Sequence, residues 1–128
     1  MAIGSVCGTA KDAVDALREK GLRAGLLKIR VFRPFPAEEI AEALKGCRAI
    51  AIMDRSEGYN AVGGPLGAEV TAALYRAKSQ AEVVNIMYGL SGRDVRVEDL
   101  EEVFDNLVKL GDGEKVYDET CPYLGLRE

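Results

Sequence analysis

Short apolar runs alternate along the chain with segments of helical periodicity. Ile3 to Ser5 reads as the tail of an apolar strand, and Thr9-Ala10-Lys11-Asp12 has the form of a capping box with Asp in place of Glu. It opens a helix in which Ala13, Val14 and Leu17 recur on one face, and Gly21 ends it. Leu26 to Val31 predicts a second strand. Pro36 suits the first turn of the next helix, Glu38 and Glu39 place negative charge at its positive dipole end, Ile40 and Leu44 face inward, and Gly46 closes it. Ala49 to Met53 is an unbroken apolar run, expected of a strand covered on both faces. Leu66, Val70, Ala73 and Leu74 give the following helix its buried stripe, and Val83 to Tyr88 predicts a fourth strand. Leu100, Val103, Phe104, Leu107 and Val108 make the clearest amphipathic helix, ending at Gly111.

Four strand–helix units in series, joined by short links, predict an open α/β domain: a parallel sheet between helices, with right-handed crossovers. The pattern covers residues 1–111. Residues 112–128 fall outside it, yet Tyr117, Cys121, Pro122, Tyr123 and Leu126 make that tail too apolar for a free linker, so it is expected to pack on the domain or on a partner. The first strand starts at the first residue, which leaves little chain to cap its edge. The expectation is a fragment of a larger protein.

Composition narrows the class. At 128 residues, with 48% hydrophobic and 30% charged residues, the chain suits one ordinary globular core. A formal net charge of -4, with Lys and Arg scattered, argues against nucleic acid as a partner. No apolar run approaches the roughly 20 residues that cross a bilayer, and no secretory leader is visible at the N-terminus, so no membrane partner and a cytoplasmic location are expected. Cys7, Cys47 and Cys121 include no Cys-x-x-Cys pair, and histidine is absent. A disulfide framework, a zinc site or an iron–sulfur site built by this chain alone is not expected.

Without histidine, neither a Ser-His-Asp nor a Cys-His arrangement can be assembled. The pairs Glu38/Glu39 and Glu101/Glu102 are adjacent, so on a helix they diverge by about 100° and read as solvated faces. The turn from Gly58 to Gly67, which contains Gly63-Gly64-Pro65-Leu66-Gly67, precedes a helix and has two readings: a sharp turn with close packing, or a receiver of an anion or partner. It lacks the Gly-Lys-Ser/Thr ending of a nucleotide loop. Ser5-Val6-Cys7-Gly8-Thr9 is a similar turn whose simple reading is an N-cap. Gly111-Asp112-Gly113 imitates a magnesium–diphosphate motif but follows a helix and has no asparagine after it, so it reads as a helix C-terminal turn. Arg33, Arg55 and Arg93 each follow a predicted strand and so line one sheet edge. Asp54 and Asp94 stand beside two of them, which leaves two readings: ion pairing in the fold or at an interface, or binding of an acidic ligand.

These residues carry a family resemblance. Gly4-Ser5 with Gly8-Thr9-Ala10-Lys11-Asp12, the run Gly25 to Pro36 ending in Arg33-Pro34-Phe35-Pro36, then Asp54-Arg55, Gly64-Pro65-Leu66 and Glu69, then Tyr88-Gly89-Leu90 with Gly92-Arg93-Asp94, resemble the second domain of the pyruvate:ferredoxin oxidoreductase alpha subunit. The resemblance spans roughly residues 3–104 and departs mildly at Ser91, where the family usually has glycine. It implies a three-layer α/β/α unit similar to the C-terminal domain of transketolase, mainly parallel with one antiparallel strand. It implies a parent enzyme that decarboxylates a 2-oxoacid on thiamine diphosphate and magnesium, passes the acyl group to coenzyme A, and sends electrons through iron–sulfur clusters to ferredoxin or flavodoxin. The catalytic parts are then expected in other domains and in beta-, gamma- and delta-type subunits, with no catalytic, cofactor or metal residue here, and the fragment alone inactive. Arg33, Asp54, Arg55, Gly63, Gly64, Glu69, Gly92, Arg93 and Asp94 are the candidate interface or anion contacts. A small-molecule module that binds acidic metabolites or coenzyme A phosphates is the alternative, and the equivalent domain of another thiamine enzyme is a third.

Overall fold

The computed structural model describes residues 1–59 and 62–125. Its strands are β1 (Ala2–Ile3), β2 (Lys28–Ile29), β3 (Ala49–Asp54) and β4 (Glu82–Met87). The helices are α1 (Val6–Glu19), α2 (Ala37–Ala43), α3 (Pro65–Arg76) and α4 (Val97–Gly111), with one 3-10 turn at Leu90–Gly92. β1 pairs in parallel with β2, and β3 with β4 in the register Ile52↔Asn85 and Asp54↔Met87. The Met53 N–H donates to the Met1 carbonyl at 3.0 Å and the Met1 amine donates to the Ala51 carbonyl. These two bonds straddle Ile52 in the parallel pattern and join the pairs in the order β2-β1-β3-β4.

Alternation along β3 sorts the core into two halves. Ala51 and Met53 join Val84, Ile86, Ala10, Ala13, Leu100 and Val103 under α1 and α4. Ile50 and Ile52 join Ile40, Leu44, Leu66, Val70 and Leu74 under α2 and α3. A strand buried on both faces has no polar face to show, which is why 49–53 reads as continuously apolar. The result is a three-layer α/β/α unit. Phe104 leaves the main core to cover Val14, Leu17 and Ala24.

Four expectations need correction. Helix α1 starts at Val6, not Thr9, because left-handed Gly4 (φ 85°) turns the chain straight from β1 into the helix; Thr9-Ala10-Lys11-Asp12 is helix interior, and Ser5 sits at the cap with helical dihedrals and no side-chain capping bond. β2 keeps only two residues of the expected Leu26–Val31 run because its partner β1 has only two, and Val31 is exposed. Every strand pairing among the described residues is parallel, so the antiparallel strand is not found there. Val108 is exposed rather than inward.

The tail returns to the sheet. Tyr123 forms a parallel bridge with Met87, through Met87 N–H to Pro122 carbonyl at 2.9 Å and Leu124 N–H to Met87 carbonyl at 2.8 Å. Tyr117 and Leu124 pack against the α1/α4 half of the core. Leu126, the last apolar residue of the expected set, lies outside the described residues. No helix among the described residues is long and apolar enough to cross a membrane.

Candidate functional site

Asp54 ends β3 as the one buried charged side chain among the described residues. Its Oδ1 accepts the Leu66 N–H at 3.1 Å, and its Oδ2 accepts the Gly67 N–H at 2.8 Å and the Asn85 Nδ2 at 2.9 Å. Asn85, one strand over, also donates to the Ile52 carbonyl at 2.9 Å and accepts the Gly64 N–H at 2.7 Å on Oδ1. The carboxylate thus sits on the first-turn N–H groups of α3, where the helix dipole favours negative charge. A side chain at Gly64 would collide with Asp54, and one at Gly67 or Gly63 with Asn85. Gly63 is also left-handed, at φ 68°.

This geometry bears on the helix end of the Gly58–Gly67 turn, where the Leu66 and Gly67 N–H groups are bonded to Asp54. Those N–H groups are the ones a helix end would offer to an anion, and the glycines beside them let Asp54 and Asn85 approach closely. It also separates Asp54 from Arg55, its neighbour in sequence. Consecutive strand residues point to opposite faces. Asp54 turns toward α3, while the Arg55 guanidinium lies 5.9 Å from the Tyr88 ring centroid on the other side. Burial pushes the Tyr88 phenol up, and the Arg55 charge opposes that shift.

Arg33 pairs with Glu69 at 2.6 Å, donates to the Phe32 carbonyl at 3.0 Å, and stacks 4.2 Å from the Phe32 ring, which meets Phe35 edge-on at 5.8 Å. Gly89, Ser91 and Gly92 are all left-handed, at φ 69°, 56° and 73°. That coil turns the chain after β4 and brings Arg93 to the Gly125 carbonyl of the tail. Asp94 forms no ion pair among the described residues. The three arginines follow strands at the carboxyl edge of the sheet, and each has its own local contact: Arg33 with Glu69, Arg55 with the Tyr88 ring and Arg93 with the Gly125 carbonyl.

Elsewhere, Gly111-Asp112-Gly113 closes α4. Gly113, left-handed at φ 87°, donates to the Leu110 carbonyl at 3.0 Å, and Glu114 donates to that of Lys109 at 3.0 Å, the two bonds of a Schellman turn. Asp112 is ion-paired with Arg48. Cys7 is buried in α1, Cys47 is exposed before β3, and the Cys121 thiol lies 3.7 Å from Asn85 Oδ1. Burial pushes the Cys7 and Cys121 thiols up, and the negative charges of Asp54 and Glu57 add to the shift at Cys121. Asn85 is missing from the sequence candidates; its one signal there is an amide inside the apolar run Val83–Tyr88.

Fold and edge together define a parallel three-layer α/β/α domain whose carboxyl edge is tied by its own carboxylate, amide and arginines. The family model for pyruvate:ferredoxin oxidoreductase core domain II matches residues 1–100, and the chain belongs to that family. It is 39% identical over its whole length to the pyruvate synthase subunit PorA of Methanocaldococcus jannaschii, covering 30% of that protein. It is 39% identical, over 96% of its length, to the ketoisovalerate oxidoreductase subunit VorA of Pyrococcus furiosus, covering 31% of it. A third relative, 38% identical over 88% of the chain and covered to 27%, is the alpha subunit of the NADH-dependent phenylglyoxylate dehydrogenase of Aromatoleum evansii. The chain thus spans about a third of the length of the relatives it matches.

Proposed function

We propose that this chain is an assembly domain of the alpha-type subunit of a thiamine diphosphate-dependent 2-oxoacid:ferredoxin oxidoreductase. The parent reaction is 2-oxoacid plus coenzyme A plus oxidised ferredoxin to acyl-coenzyme A, carbon dioxide and reduced ferredoxin. In this reading residues 1–111 form the domain, residues 112–128 form a tail whose described part packs on β4, and the domain helps to hold other domains and subunits in register.

The observation that carries the reading is the Asp54–Asn85 knot. Polar groups that in other open α/β sheets face a ligand are here bonded to one another, so the edge is a rigid surface more than a pocket. The relatives add support. At nearly equal identity they are named for pyruvate, ketoisovalerate and phenylglyoxylate, and one is named for NADH. A domain shared so evenly across substrates and electron carriers suits a role away from substrate choice.

The parent's cofactors do not fit residues of this chain. Asp112, the nearest imitation of a magnesium–diphosphate ligand, faces the cation of Arg48. The three cysteines stand in separate elements, unlike an iron–sulfur ligand set. The N-terminus of α3, the helix end that the glycine turn would offer to a coenzyme A phosphate, is filled by Asp54. Thiamine diphosphate, magnesium and the clusters are therefore assigned to other parts of the complex.

Calorimetric titration of the 128-residue chain with magnesium–thiamine diphosphate and with coenzyme A tests this. No heat of binding is expected. Saturable binding of either at micromolar concentration would overturn the assembly reading in favour of a ligand-binding module.

A further inference from the structure

The carboxyl edge differs from the rest of the molecule in both hydrophobicity and charge. Seven large hydrophobic side chains are exposed among the described residues, and five of them, Ile3, Val31, Tyr59, Val62 and Leu90, lie at or just beyond the carboxyl ends of the strands. The other two, Tyr75 and Val108, are isolated on α3 and α4. Single exposed hydrophobics are ordinary, but five gathered on one edge are not.

Charge segregates to the same place. The loops beyond the strand ends, residues 4–5, 30–36, 55–64 and 88–96, contain five of the ten arginines, Arg30, Arg33, Arg55, Arg93 and Arg96, and none of the seven lysines. Against Glu57 and Asp94 they leave this edge at +3, in a chain whose formal net charge is -4. Arg33 is held by Glu69 and Arg96 by Asp99, whereas Arg30 and Arg55 form no ion pair among the described residues. Arginine and tyrosine without lysine is the composition of buried protein interfaces, since a guanidinium is less strongly hydrated than an ammonium and binds carboxylates in a planar fork. The knot of Asp54, Asn85 and the glycines fixes the β3–α3 junction at this edge before anything docks, which lowers the ordering cost of association there.

We propose that this edge is the docking face of the domain, and that its occupant is a protein surface presenting carboxylates around an apolar centre, contributed by another domain or subunit of the same complex. The inference rests on the assembly reading and adds which face is used and what chemistry it meets. Arg55 supplies the charge contact, Val62 and Tyr59 the apolar centre, and the α2–α3 and α1–α4 faces stay outside the contact.

The test uses the full-length subunit containing these residues, co-produced with its partner subunits, with the assembled fraction read by sedimentation and native mass spectrometry. Arg55→Glu and Val62→Asp are the edge variants; Tyr75→Asp and Val108→Asp are the controls. Far-ultraviolet circular dichroism and melting temperature of each subunit keep folding and docking separate. The edge variants should melt like the wild type and weaken association by about tenfold or more, with the controls unaffected. Arg55→Glu should also flatten the dependence of association on ionic strength. Normal assembly by both edge variants, with loss in a control variant, would place docking on a helical face and overturn the proposal while leaving the assembly reading intact. If a subunit with residues 1–111 excised still folds and joins the complex normally, both fail. A melting shift by coenzyme A in the wild type that Arg55→Glu abolishes would make the edge a small-anion site and overturn the docking proposal.

Discussion

The Asp54 carboxylate accepts the Gly67 N–H at 2.8 Å, within the buried junction between the end of β3 and the start of α3. Replacing Asp54 with alanine leaves the N–H groups of Leu66 and Gly67 and one Asn85 amide hydrogen without that acceptor. Bonds to a charged group contribute more than neutral ones, and unpaired buried donors carry a desolvation cost. Asp54→Ala should therefore lower the unfolding free energy by about 3 kcal/mol, and Asp54→Asn by less because one oxygen remains. Urea denaturation of the 128-residue chain measures both, and a loss equal for the two variants would show that a single neutral oxygen recovers nothing of what the carboxylate supplies.

Gly67 and Asn85 are coupled through space. A Cβ at Gly67 would strike the Asn85 amide, so Gly67→Ala forces a half-buried side chain off its bonds, a cost of about 1–3 kcal/mol. Asn85→Ala costs about as much by orphaning the Gly64 N–H and removing a donor from the Asp54 carboxylate, yet it clears the space that the methyl group of Gly67→Ala would need. In a double-mutant cycle the pair should be less destabilising than the sum of the singles by at least about 1 kcal/mol. Additive effects would mean that the two positions do not share this contact.

What the sequence could reveal follows from which interactions are periodic. The apolar run at 49–53, the stripes of α3 and α4 and the stop at Gly21 were legible because burial repeats with the period of the element. The start of α1 was not, because the turn is made by the backbone of Gly4 while Ser5 forms no side-chain cap. The edge was half legible. Glycines and arginines marked it, but the partner of Asp54 is 31 residues away on a neighbouring strand, and adjacency in sequence pointed to Arg55 instead. A lone asparagine inside an apolar strand is the kind of exception that gains meaning only when the register with Ile52 is known.

Lys78 offers a stabilising change. α3 ends in a Schellman turn, with Ser79 N–H on the Leu74 carbonyl at 3.0 Å and Lys78 N–H on the Tyr75 carbonyl at 3.0 Å. The equivalent C′ positions of α1 and α4 hold glycine, at Gly21 and Gly113, but here Lys78 is left-handed at φ 55°. A left-handed conformation costs a non-glycine residue about 1–2 kcal/mol, partly offset by the greater freedom of glycine in the unfolded chain. Lys78→Gly should raise stability by about 0.5–1 kcal/mol. Thermal melting of the variant checks this, and a lower melting temperature would mean that the Lys78 side chain contributes more than its backbone loses.

The pH dependence of stability has two limbs of opposite sign. Burial lowers the Met1 amine from 8.0 to about 6, so between those values the unfolded chain holds a proton that the folded chain does not. Stability of the 128-residue chain therefore rises as pH increases from about 6 to about 8. On the alkaline side the order reverses. Burial raises the Cys7 and Cys121 thiols above 9.0 and the Tyr88 and Tyr117 phenols above 10.0, so the unfolded chain ionises first. Their contribution is fully present below about pH 9 and is lost as pH rises through the folded values. Melting temperature plotted against pH should peak between about 8 and 9, and Cys7→Ala should make the alkaline limb shallower. In the folded chain a thiol reagent should modify exposed Cys47 first and buried Cys7 last. Equal modification rates for Cys7 and Cys47 under native conditions would mean that α1 opens readily from the sheet, contrary to its place in the core.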